Sequence, residues 1–159
     1  MKAIGCLLLL GVTLYTAWSL ALLRRRRLRL REGILCLLHH LSANLSCFSL
    51  PLSALYASFQ NEALEACGFL SLLREAGLLA ALEGTKDALS LSSEEREVLY
   101  PFAEKLGKAY LGEEQALCRY AREGFERLYN SQREEFPKKR KTEGALVVTG
   151  GLMVILLFL

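Results

Sequence analysis

Cys36, His39 and His40 are the side chains whose types and spacing could do nucleophilic or metal chemistry, because a thiol and two imidazoles fall within about one helical turn. Neighbouring residues on a helix point roughly 100° apart, so His39 and His40 cannot hold one ion together. A Cys36–histidine pair lacks a third ligand at metal-site spacing, and lacks the orienting group and oxyanion loop that thiol catalysis needs. A membrane enzyme built on these three residues is therefore the weaker reading. The pair reads instead as histidines at the edge of an amphipathic face. Gly84-Thr85-Lys86 is the nearest approach to a phosphate loop, but the second upstream glycine and the preceding strand are both missing, which excludes an NTPase. Glu94, Glu95 and Glu97 follow Ser92 and Ser93, where the first turn of a helix favours carboxylates. No cofactor or metal is expected, and an enzyme is not.

The remaining chemistry lies in charge. Arg24, Arg25, Arg26, Arg27, Arg29 and Arg31 follow a run without any charge, residues 3–23, and Lys138, Lys139, Arg140 and Lys141 precede a second, residues 144–159. Between the two clusters, residues 32–137 hold nine Lys/Arg against sixteen Asp/Glu, a net charge of −7. An acidic body with two basic collars excludes general nucleic-acid binding, which needs cations spread over a domain face. Arg24, Arg25, Arg26, Arg27, Lys138, Lys139, Arg140 and Lys141 are expected to meet anionic headgroups of a bilayer. The acidic body would suit a cytoplasmic partner with basic patches.

The chain has 159 residues, 52% hydrophobic, with a mean hydropathy of +0.24. The excess over a soluble domain is concentrated in the two uncharged runs. At about 1.5 Å per residue the first would span roughly 32 Å, matching a hydrocarbon core of about 30 Å, and the second roughly 24 Å. Ser19-Leu20-Ala21 offers a small-x-small cleavage pattern, but the arginines behind it oppose translocation, so a retained anchor is expected. Both collars border the same middle segment, which predicts a cytoplasmic body with both termini outside. The organisation expected is a transmembrane helix over 3–23, a cytoplasmic helical domain over 24–143 and a transmembrane helix over 144–159. The five cysteines are odd in number and form no Cys-x-x-Cys pair, so they read as small buried hydrophobes in a reducing compartment.

No segment alternates apolar and polar residues at a period of two, so strands are not expected. The fold class predicted is all-α, an antiparallel helical bundle between the two spans. The first helix should run through the arginines, with Ile34, Leu37, Leu38, Leu41 and Leu45 on one face to about Cys47, and Gly33 should not stop it. Pro51 suits the first turn of the next helix, which is expected to bury Leu52, Leu55, Tyr56 and Phe59. A helix over about 64–76 turns Leu70 and Leu73 inward and ends at Gly77; a short one over 78–89 is interrupted near Gly84. Ser92 and Glu95 form a capping box, and Pro101 should kink or restart the helix it opens. The last helix, about 113–135, is expected to form an inner seam of Leu117, Ala121, Gly124 and Leu128 with Tyr120, Phe125 and Tyr129 beside it, and Arg119–Glu123, Arg122–Glu126 and Glu123–Arg127 pairs outside.

The order of these features resembles a known family. An apolar span, a basic helix, Pro51-Leu52 with Ala54-Leu55, the Ser92 capping box, Leu106-Gly107, Leu111-Gly112 with Gln115, a long charged helix and a closing Gly-Gly-Leu run are similar to stage III sporulation protein AB of endospore-forming bacteria, over essentially the whole chain. The resemblance implies a helical cytoplasmic domain like the platform protein of type II secretion and type IV pilus machines. It implies membership of the channel complex between mother cell and forespore, in the mother-cell side membrane around the forespore. The implied partners are a cognate secretion-type ATPase and other channel-complex membrane proteins, with homo-oligomerisation open. The resemblance carries no catalytic residues. The competing reading is a general secretion or pilus platform-like adaptor.

Overall fold

A computed structural model describes residues 2–47, 51–108 and 112–134, with the side chains at 2–10, 13, 14, 17, 46 and 47 outside that description. The chain divides into two compact units, Arg27–Asn130 and the terminal segments Met1–Arg26 with Ser131–Leu159. Among the described residues there are helices and no strands. They are α1 (Lys2–Cys47), α2 (Leu52–Ser58), α3 (Glu62–Ala66), α4 (Phe69–Gly84), α5 (Lys86–Leu89), α6 (Ser93–Lys105) and α7 (residues 112–134).

The Arg27–Asn130 unit is organised by the stripe that the sequence places on α1. Ile34, Leu37, Leu38, Leu41 and Leu45 are all buried, and Leu30 extends the stripe by a further turn; their three- and four-residue steps keep them on one face. Burial of each such leucine contributes roughly 1.5–3 kcal/mol before conformational entropy is set against it. Leu55 and Tyr56 of α2, Leu64 of α3, Phe69, Leu70 and Leu73 of α4, Leu99 and Phe102 of α6 and Phe125 of α7 join the same core. α4 packs against α2, α3 and α6. Gly33 stays within α1 because a methyl group there would lie 2.9 Å from both Asn61 Oδ1 and Leu64 Cγ, so only a bare backbone lets α3 come so close.

Several boundaries differ from expectation. The helix expected over 64–76 is two helices, because the chain turns through Gly68 at φ 80° between α3 and α4. Gly77, at φ 86° and ψ −179°, puts a kink inside α4 where an end was expected; a side chain would be strained at that φ. Pro51 stands at the N-cap of α2, one residue before its first turn. α6 continues through Pro101, whose exposed position leaves the unpaired carbonyl one turn back facing water. The seam of α7 is rotated: Glu114, Cys118, Ala121 and Phe125 are buried, while Leu117 and Leu128 are half-buried.

Among the described residues no helix is long and apolar enough to cross a membrane. Much of the apolar character of 3–23 belongs to side chains at 3–10 that fall outside the described set, and 144–159 falls outside it altogether.

Candidate functional site

Arg25, Arg26, Arg27 and Arg29 stand exposed on α1, and Arg24 is half-buried. Lys138, Lys139, Arg140 and Lys141 lie outside the described residues. Arg31 leaves this series. About one turn beyond Arg27 it is buried, and its guanidinium forks onto the carboxylate of Glu95, Nε at 2.5 Å from Oε1 and Nη2 at 3.1 Å from Oε2. Nη2 also donates to the Ser90 carbonyl at 3.3 Å. Glu95 has no exposed surface, and its Oε2 accepts the Ser92 N–H at 2.7 Å while Ser92 Oγ accepts the Glu95 N–H at 3.2 Å. The capping box is therefore present as the sequence predicts, but its carboxylate also neutralises a cation 64 residues away. A buried pair tolerates loss of solvent only when its oxygens and N–H groups are filled in this way. It ties α1 to the α5–α6 corner. Glu94 and Glu97 remain exposed.

The thiol and imidazoles of α1 serve different surroundings. Cys36 is an exposed free thiol. His40 faces α2, with Nε2 at 3.3 Å from the Leu55 carbonyl and 3.2 Å from Ser58 Oγ, and its ring centroid 5.4 Å from that of Phe59. Asn44 Nδ2 lies 3.3 Å from His40 Nδ1 and donates to the His40 carbonyl at 2.7 Å, which assigns the ring proton to Nε2. His39 is exposed and lines a polar pocket between α1 and α7. Among the described residues no group of three His, Cys, Asp or Glu is arranged to hold a metal. Thr85 of the glycine-threonine-lysine segment is buried, its hydroxyl donating to the Ala81 carbonyl at 2.6 Å, so it closes α4 and does not face a phosphate.

A second buried acid, Glu114, has no forerunner in the sequence reading. Its Oε1 accepts the Gly107 N–H at 2.7 Å, tying the start of α7 to the turn after α6. Burial, with the nearby Glu114 adding to it, pushes the Cys118 thiol up to about 12. Burial, then the proximity of Cys118 and Glu114, pushes the Tyr56 phenol up to about 12 as well. Cys118 thus stays a protonated, inert hydrophobe at neutral pH. The signal that could have found Glu114 is its three- and four-residue spacing to Cys118, Ala121 and Phe125 on one face of α7.

The expected exterior pairs of α7 rearrange. Among the described residues the ion pair on this helix joins Arg122 to Glu123 at 4.0 Å, and Arg127 Nε donates to the Glu123 carbonyl at 3.2 Å. Gly124 does permit a close neighbour, since a Cβ there would lie 3.3 Å from Val98 Cγ1 of α6. Tyr120, expected beside the inner seam, is 69% exposed and lines an open groove of about 840 Å³ with Leu117, Lys105 and Lys108.

No curated protein and no solved structure matches the chain. The family model of stage III sporulation protein AB matches residues 2–159, in agreement with the resemblance drawn from the order of its features, and the chain belongs to that family, whose name assigns it a role in stage III of sporulation.

Proposed function

We propose that the protein is a non-enzymatic membrane component of a secretion-like channel complex between mother cell and forespore, and that its helical body, an antiparallel bundle, is the platform on which a secretion-type ATPase docks. The observation that carries this reading is the surface of α1 ahead of the arginines. Val12, Tyr15, Trp18, Leu20, Leu22 and Leu23 are 48–67% exposed and spread over roughly 200° of the helix surface, wider than one stripe, and in sequence the rest of the circumference falls to Leu14, Ala17 and Ala21, with no charge anywhere in 3–23. A helix apolar all round belongs in a hydrocarbon or protein environment. Tyr15 and Trp18 suit the headgroup level, and Arg24 to Arg27 suit anionic headgroups on the cytoplasmic side. The acidic body then faces the cytoplasm, where charge steers a basic partner surface onto it. The family match supports the sporulation role.

Two measurements test the reading. The full chain, tagged in the body, is expressed in sporulating cells and exposed to protease from either side of the membrane. The tag should be protected from outside and cleaved after permeabilisation, and Arg24→Gln through Arg27→Gln together should scramble that pattern. Co-purification should recover the secretion-type ATPase with the wild-type chain. A chain that fractionates free of membrane, or one that never recovers the ATPase, overturns the corresponding half of the proposal.

A further inference from the structure

The pocket between α1 and α7, about 440 Å³, has a charge pattern that nothing in the fold requires. His39 and Ser42 on one side face Gly112, Gln115, Arg119 and Arg122 on the other. Positions 112, 115, 119 and 122 recur at three- and four-residue steps and so make one stripe of α7. Ala43 and Ala116 form the rest of the wall, and their short side chains leave the space open. Among the described residues no carboxylate lines it.

The terminal nitrogens of Arg122 are only loosely engaged within the chain. Nη1 reaches Ser42 Oγ at 3.4 Å and Nη2 reaches Glu123 Oε1 at 4.0 Å, both at the outer limit of useful contact. Its Nε is buried and, among the described residues, has no hydrogen-bond partner. Gln115 Nε2 donates to the Leu45 carbonyl at 3.0 Å, which fixes its side chain in the wall of the pocket.

We propose that this pocket binds a phosphate-type oxyanion, held by Arg122 and Arg119 with His39 and Ser42 completing the ring of donors. Donors arriving from two helices and several directions suit a tetrahedral group better than a planar carboxylate, which one guanidinium fork would satisfy. The group is the headgroup of an acidic phospholipid or a free phosphate compound; the chemistry of recognition is the same. The inference is independent of the platform reading.

The chain has two histidines, of which His39 lines the pocket and His40 is turned to α2, so one experiment carries its own control. The full chain, labelled at histidine nitrogen and held in a maltoside detergent at constant pH and ionic strength, is titrated with inorganic phosphate against chloride. A parallel series uses a water-soluble short-chain phosphatidic acid. Ring signals of His39 should move and saturate while those of His40 stay. R122Q and R119Q should each weaken the response at least tenfold with little change in thermal midpoint. Saturation by the lipid alone assigns a headgroup, and saturation by inorganic phosphate assigns a free phosphate compound; either supports the site. The proposal is overturned if neither compound moves His39, if both histidines move together, or if the variants titrate like the wild type. Should R122Q fail to fold, R119Q decides, since Arg119 is exposed.

Discussion

Arg31 and Glu95 show how a residue's role changes once the chain closes on itself. In the sequence the first is the last arginine of a collar and the second an ordinary capping carboxylate; in the fold each is the other's counter-ion, with Glu95 fully buried. Glu95→Ala should lower stability by about 3–5 kcal/mol, because it strands a buried guanidinium and opens the capping box. The double variant Arg31→Met with Glu95→Gln should return to within about 2 kcal/mol of wild type, since glutamine keeps the box and no charge is left buried. Urea unfolding measures both, and a double variant as unstable as Glu95→Ala would show that the charge pair itself is indispensable. The buried Cys118 and Tyr56 set the alkaline limit. Their protons are lost in the unfolded chain near pH 9.0 and 10.0 but in the folded chain near 12. Stability from these groups is thus present below about pH 9 and lost as pH rises towards 12. Thermal midpoints followed from pH 8 to 12 should fall from about pH 9, and in Cys118→Ala the onset should move up towards the tyrosine range.

At the scale of elements, periodicity identifies which helix has an inner face more reliably than which residues lie at its centre. α1 is legible because five leucines and isoleucines in register leave one solution. α7 is not, because its apolar residues occupy more than one stripe, and the tie of Glu114 to Gly107 chooses the rotation that buries Cys118 and Phe125. Phe125→Ala should therefore cost about 3–5 kcal/mol, whereas half-buried Leu128→Ala should cost about 1 kcal/mol or less; denaturant midpoints of the pair test the rotation directly. Gly33→Ala should cost about 1–3 kcal/mol despite alanine's better helix propensity, because the added methyl collides with Asn61 and Leu64. An unchanged or raised melting temperature would mean that α3 can retreat without loss. The turn at Gly68 escaped the sequence reading because a short helix of one turn and a half has no periodicity of its own.

At the scale of the whole molecule, every buried hydrophobic residue among those described falls between Leu30 and Phe125, inside the Arg27–Asn130 unit. A chain of residues 27–130 should accordingly fold alone and melt in one cooperative transition. Circular dichroism checks this, and a broad, non-cooperative melt would show that the terminal segments contribute to the core. The exposed apolar surface of α1 lies outside this unit, at residues 12–23, so its removal should improve solubility without lowering that midpoint.

Composition and periodicity alone determined the helical class, the single core, the segregation of charge and the long first helix, because each follows from interactions within one or two turns of chain. The tertiary structure alone decided which arginine is a counter-ion, which face of α7 is inward, and that His39 stands with Arg119 and Arg122 while His40 does not. Those outcomes depend on contacts between residues 7 to 80 positions apart, whose partners no local spacing specifies.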